Sequence, residues 1–449
     1  LDRHEIKYGF ATGGSVSGLN YQTSNGKGSM DATGALVVST NQPKGKMVKA
    51  LFEQDAKLTE PLTYDITAWS LPYAYGLDCV ATTTVVSANG SNPTMKTINQ
   101  VAPSSSLAGY IVEWNSLYDA EFLAELLKQD IKVRFSEKEL SIAGKKFGRG
   151  SLVITKSDNR KNDRFTEIVT KAANTFGRKL YAAPTSFSDN GTDFGSTDVK
   201  IINKNRIAML RGDGVSSLSY GALWHFMEQQ LKYPVTSIDT DDFSVEALGH
   251  FDVLVLPSGW YQRLLNDSTL GDLKTWIQKG GKVIAFDNAL GAFVNKDGFD
   301  LKKNSSAEEK EETNSKGNLI PYDQRERAEV KNFITGSIYK VTLDPSHPMA
   351  FGYGDTYYSL KQGNDSYQFL ENGYNVGYLN GDAVSVSGFS GEDAKTGLKN
   401  SLVFGEARIG DGSVVYLVDD VLFRSFWENG KLFFVNSLFL VNSNVFVLD

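Results

Sequence analysis

RIAMLRGDG (206–214), SSLSYGALWHFMEQQL (216–231), PVTSIDTDD (234–242), FDVLVLPSG (251–259), TLGDLKTWIQKGG (269–281) and KVIAFDNALG (282–291) read in turn as strand, helix, strand, strand, helix and strand. FDVLVL and KVIAF are nearly unbroken apolar runs. Strands covered on both faces read this way, whereas half-solvated strands alternate. Ser216 or Ser217 is placed to cap the first helix, and the glycine pair after Lys279 to close the second. Strands alternating with helices at this spacing predict an α/β class with a doubly wound parallel sheet.

Beyond this stretch the pattern changes. Residues 301–330 carry 6 basic and 7 acidic side chains, 13 of 30, against 22% charged for the whole chain. That density predicts a solvated charged insertion near 296–330. Short strands with Gly and Asn turns follow, then SVVYLVDD (413–420) as a strand and FWENGKLFFVNSLFL (426–440) as a closing helix. The whole is assigned to a region spanning 199–449.

Residues 1–198 read as a smaller α/β region. AGYIVEWN (108–115), SLYDAEFLAELLKQD (116–130) and IKVRFS (131–136) form strand, amphipathic helix and strand, which predicts a right-handed crossover with parallel pairing. GALVVST (34–40) followed by KMVKALFEQ (46–54) resembles GSLVITK (150–156) followed by RFTEIVTKAA (164–173), so an internal strand-turn-helix repeat is expected.

Composition narrows the chemistry. The net charge of −7 gives no long-range pull on phosphates, so nucleic acid is not expected as a partner. The single cysteine, Cys79, excludes a disulfide framework, a thiolate zinc site and an iron-sulfur cluster within the chain. Among apolar stretches, KLFFVNSLFLVNSNVFVL (431–448) comes nearest a membrane span, but Asn436, Ser437, Asn442, Ser443 and Asn444 interrupt it. The chain opens on Leu1 with no apolar leader, and a processed or cut product is expected. Abundant Ser, Thr, Asn, Gly and Tyr suit a secreted or periplasmic, cell-envelope protein.

Open parallel sheets bind ligands beyond the carboxyl ends of their strands. Those ends supply the candidate ligand pocket: Gly212, Asp213 and Gly214, then Ser258, Gly259 and Trp260, then Asp287 and Asn288. The same residue types also serve simply to turn a chain, which is the commoner reason for them. His225 and Glu228 form a His-x-x-Glu pair with His347 119 residues further on, a spacing open to a metal-dependent hydrolase. The pair lies within an amphipathic helix beside Trp224 and Phe226, where a structural histidine is commoner. Tyr353, Tyr357 and Tyr358 would suit a carbohydrate-binding face or ordinary cross-strand packing. No Gly-x-Ser-x-Gly elbow, Walker motif or dinucleotide fingerprint is present in the required context.

GALVVSTNQPKGKMVKALFE (34–53) and LTYDITAWSLPYAYGLD (62–78) together resemble the region after the catalytic domain in large secreted bacterial zinc carboxypeptidase-like proteins. GVSSLSYGALWHFMEQQLKYPV (214–235), FDVLVLPSG (251–259) and HPMAFGYG (347–354) resemble the class I glutamine amidotransferase-like, flavodoxin-like domain at the C-terminus of the same proteins. The resemblance implies that this chain is the non-catalytic portion, with peptidase domain and zinc lying N-terminal to it. That peptidase domain would be its partner, and a peptide or glycan its ligand. No catalytic residue, metal or cofactor is then expected in the chain itself. In the amidotransferase-like sheet the turn after KVIAF carries a cysteine, where this chain has Asp287-Asn288-Ala289. Thiol-based amide hydrolysis is therefore excluded.

Overall fold

The computed structural model describes residues 1–23, 26–55, 66–90, 98–100, 107–304 and 321–441. Most of the charged insertion (305–320), residues 62–65 of the 62–78 stretch and the polar residues 442–444 lie outside the described residues.

The N-terminal piece contributes a hairpin of β1 (Ser15–Asn20) and β2 (Lys27–Asp31), then α1 (Gly45–Phe52) and α2 (Leu71–Tyr75). Its anchor is aromatic. Tyr21 packs on Tyr73, and Tyr73 on Tyr358 of the C-terminal half, with ring centroids 5.6 and 4.6 Å apart.

The next unit comprises β3 (Gly109–Val112), α3 (Leu117–Lys128), β4 (Arg134–Ser136), β5 (Leu152–Thr155), α4 (Phe165–Thr175), β6 (Tyr181–Ala183) and β7 (Val199–Ile201). Its sheet runs β6-β3-β5-β4-β7, and every neighbouring pair is antiparallel. The expected parallel pairing of 108–115 with 131–136 is corrected: the two strands point the same way, but β5 lies between them. This is a split β-α-β, repeated as β3-α3-β4 and β5-α4-β6 in the manner of a ferredoxin-like unit. The two stretches of the expected repeat each form a strand followed by a helix, in different settings: among the described residues Leu36–Val37 pairs with Gly9–Phe10, while β5 lies central in a five-stranded sheet. The sheet extends through Ile201, slightly beyond the 198 boundary.

Alternation along these short strands divides two cores. Tyr110, Val112, Leu152 and Ile154 face α3 and α4, whereas Ile111 and Val153 face Leu140, Ile142 and Phe147. A reciprocal box of Ser116 and Asp119 caps α3, and Arg178 pairs with the buried Asp119 carboxylate at 3.2 Å.

The C-terminal half contains β8 (Ile207–Arg211), α5 (Ser217–His225), β9 (Thr236–Asp239), β10 (Val253–Leu256), α6 (Asp267–Gln278) and β11 (Lys282–Phe286). It continues through β12 (Ser337–Leu343), β13 (Thr356–Lys361), β14 (Tyr374–Leu379), β15 (Ser401–Ile409), β16 (Gly412–Leu417) and α7 (Lys431–Phe439). The sheet has ten strands, with Ser385–Ser387 on β12 and a main path of β9-β8-β10-β11-β16-β15-β14-β12-β13. From β9 to β16 all pairs are parallel, in the 2-1-3-4-5 order of flavodoxin-like sheets. From β16 onward they are antiparallel. The doubly wound parallel sheet is thus present, carrying an antiparallel extension that the sequence pattern did not reveal.

The unbroken apolar runs have the expected cause. Leu254, Leu256, Val283 and Ala285 enter a core with Leu270, Leu273 and Ile277 of α6. Val253, Val255, Ile284 and Phe286 enter another with α5, α7 and α3. That second core is continuous with the split β-α-β unit, so one apolar layer joins both halves. Among the described residues, no helix is long and apolar enough to cross a membrane.

Candidate functional site

The 2-1-3-4-5 order places the topological switch at β8, whose following loop lies between those of β9 and β10. Here the glycines close the crevice rather than opening it. The Trp260 N–H donates to the Gly214 carbonyl at 2.8 Å, and the Ser216 N–H to that of Ser258 at 2.8 Å. A Cβ on Gly259 would lie 2.6 Å from the Gly214 oxygen, so the two backbones can meet only with glycine there. Gly212 and Asp213 turn the other way. A Cβ on Gly212 would lie 2.6 Å from an Asp239 oxygen, and Thr240 Oγ1 donates to the Asp213 carbonyl at 3.1 Å. The Trp260 ring is exposed.

Ser258, Asp287 and Asn288 do converge. Asp287 ends β11 in the left-handed region, φ 47°. The turn presents its carboxylate beyond the end of the strand. Ser258 Oγ donates to Asp287 Oδ2 at 2.7 Å, and Asn288 Nδ2 reaches the same oxygen at 3.3 Å. Burial pushes the Asp287 carboxyl above the usual range; the Ser258 hydrogen bond offsets part of this, and the Asp419 charge adds to it.

Two carboxylates beyond the end of β16 complete the site. Asp419, 6% exposed, pairs with Lys361, 2% exposed, at 2.7 Å and accepts from Ser359 Oγ at 2.5 Å. Asp420 accepts from the Leu422 N–H at 3.0 Å. Its own burial pushes its carboxyl up to about 7, with Asp287 and Asp419 contributing. These groups, with Gln362, Gly363 and Asp365, line a pocket of about 270 Å³. The pocket holds four carboxylates and one ammonium already committed to Asp419. It is equipped to accept hydrogen bonds from hydroxyl or amino groups.

The raised carboxyl has a consequence for stability. Asp420 in the folded chain binds its proton up to about pH 7, against ~3.9 for an unfolded aspartate. Its stabilising contribution is therefore full below about pH 4 and is lost as the pH rises toward 7. Asp420→Asn is expected to stabilise the protein by about 2 kcal/mol at pH 8, less than the full shift because the carboxyl keeps some contact with water, and to change little at pH 4. Urea unfolding at the two pH values checks this; equal effects at both would show that Asp420 does not titrate there.

The other candidates are dispersed. His225 and Glu228 lie exposed where α5 passes into a π-helical turn over Phe226–Leu231. His347 is buried elsewhere: Nδ1 accepts from the Met349 N–H at 3.2 Å, and Nε2, which therefore carries the proton, donates to Glu406 at 2.9 Å. Burial pushes Glu406 up, but His347, Arg408 and Lys282 hold its carboxyl below the usual range. No group of three or more His, Cys, Asp and Glu side chains among the described residues is arranged to hold a metal ion. The three tyrosines pack inward: Tyr353 stacks on Phe433 at 4.1 Å, and Tyr357 OH accepts from Trp427 Nε1 at 3.0 Å. Tyr358, also buried, packs on Tyr73. Burial pushes the Cys79 thiol up to about 11, and the residue lies outside the strand-end pocket.

No protein-family model matches the chain, and no curated protein matches it. Solved structures similar to it include a protein described as ThuA-like from Bacteroides uniformis, at 10% identity over 52% of this chain and 89% of that one, TM-score 0.32. A glutamine amidotransferase from Thermotoga maritima matches at 10% identity over 53% and 96%, TM-score 0.31. A β-galactosidase from Bacillus circulans matches at 9% over 52% and 31%, TM-score 0.29. The flavodoxin-like class of the parallel half rests on its own strand order.

Proposed function

We propose that this chain is a non-catalytic, ligand-binding accessory region of a secreted or periplasmic zinc carboxypeptidase-like protein, packing against that protein's peptidase domain and holding a peptide or glycan at the strand-end pocket. The observation that carries this reading is Asp287 at the elbow. A strained turn that elsewhere presents a nucleophile here presents a carboxylate engaged by Ser258. Zinc belongs to the peptidase domain in this reading. The metal-hydrolase alternative would need His347 to leave Glu406 and Met349 and join His225 and Glu228.

The test has two arms. The chain alone is expected not to release C-terminal residues from a reporter peptide, with or without added zinc. It is also expected to bind a member of a panel of short peptides and glycans, with affinity falling at least tenfold in Asp287→Ala. Chelator-sensitive turnover would overturn the accessory role, and binding indifferent to Asp287 would overturn the pocket.

A further inference from the structure

A second, larger cleft of about 900 Å³ opens where the N-terminal piece, the start of α3 and the β12–β13 region meet. It is separate from the strand-end pocket and near the upper end of ligand-site volumes. We propose that it binds a peptide segment bearing arginine or lysine side chains.

Charge supplies the first argument. The acidic side chains lining the cleft are Asp78, Glu121, Asp355 and Glu428, against Lys340 as the lining cation. Glu428 is already paired with the buried Lys431. Asp78, Glu121 and Asp355 form no ion pair among the described residues. Arg178 and Lys431, which also act on Glu121, are bound to Asp119 and Glu428. Lys232 acts on Glu121 and Lys340 lines the cleft, so three carboxylates face two cations there. An incoming cation gains from a cleft of this sign.

Hydrogen-bonding capacity points the same way. The carboxylates of Asp78, Glu121 and Asp355 line the cleft with acceptors. Arginine and lysine side chains bring donors and no acceptors.

Aromatic surface is the third argument. Tyr75 and Tyr118, 50% and 58% exposed, stand at the cleft. Arg178 already lies 5.2 Å from the Tyr118 ring centre, so this ring sits in cation–π geometry within the chain itself. Its remaining exposed surface is available to a second guanidinium.

The test is calorimetric titration of the full chain with penta-arginine, penta-glutamate and chitopentaose. Penta-arginine is expected to bind, with affinity falling at least tenfold in Glu121→Gln/Asp355→Asn, several-fold in Tyr118→Ala, and steadily with added salt. Asp272→Asn/Asp297→Asn, which removes two charges on the α6 side, is expected to leave it unchanged. Should the double variant fail to fold by circular dichroism, Asp355→Asn and Tyr118→Ala carry the test singly. Equal binding of penta-glutamate, loss of affinity in the α6-side control matching that in the cleft variant, or cleft variants binding as tightly as the parent would overturn the proposal. Displacement of the peptide by equimolar chitopentaose would assign the cleft to a glycan.

Discussion

Asp419→Ala is expected to destabilise the protein by about 3–5 kcal/mol. Lys361 is 2% exposed and its ammonium meets Asp419 at 2.7 Å. Removing the carboxylate leaves a nearly buried ammonium without its ion-pair partner, and it also frees the Ser359 hydroxyl. With total stabilities of roughly 5–15 kcal/mol for a domain, a loss of this size removes from about a fifth of the margin to all of it. The mirror change Lys361→Met leaves Asp419 buried but still hydrogen-bonded by Ser359, so a smaller loss is expected. Asp419→Leu/Lys361→Met together should recover most of the stability, because the cost of a broken buried pair lies in the survivor rather than in the pair. Urea midpoints for the three variants decide it. A single-variant loss below about 1 kcal/mol would mean that Lys361 finds solvent by moving into the strand-end pocket.

Legibility followed the range of the interactions. The parallel strands were readable because a strand covered on both faces is apolar at every position, as Val253–Leu256 is. The antiparallel order of the first sheet was not. A strand-helix-strand run has the same local pattern whether its strands pair directly or admit a third, and β5 enters from beyond a hairpin. At the site, the strand-end rule reached Ser258 and Asp287 but was not carried to SVVYLVDD, whose terminal Asp419 and Asp420 end the fifth parallel strand. The signal was there, obscured by the long insertion separating that strand from its partner β11. Lys361 arrives on an antiparallel strand, and no spacing in the sequence announces it. Glycines in the β8 and β10 loops suggested an open cradle, yet the two loops hydrogen-bond to each other, a contact decided by tertiary packing. His225 and Glu228 share a helix face as their spacing requires, but that face looks to solvent while His347 is held by Glu406.

A buried amide bridges several segments at the junction between the two halves. Asn436 of α7 is fully buried. Its Oδ1 accepts from Trp114 Nε1 at 2.9 Å, and its Nδ2 donates to the Met349 and Phe351 carbonyls at 2.9 and 2.8 Å. It thereby ties the end of the β3 segment, the loop before β13 and the closing helix together. Asn436→Leu keeps the volume and removes all three bonds, leaving one N–H and two carbonyls without partners in a dry core. At about 1–3 kcal/mol for each group left unsatisfied, partly relieved by the added apolar contact, a net loss of about 3–5 kcal/mol is expected. Asn436→Asp distinguishes the hydrogen bonds from the packing. The new carboxylate still accepts from Trp114, but it faces two carbonyls and must ionise in an apolar site, so its folded pKa lies above the unfolded value. Stability in this variant is therefore highest at low pH and falls as the pH rises through the folded pKa. Asn436→Leu is expected to show no such added slope. Thermal unfolding of the parent and both variants at pH 5 and pH 8 separates the two effects. A loss under 1 kcal/mol in Asn436→Leu would mean that the layer joining the halves is held by its apolar contacts alone, with the asparagine a passenger among them.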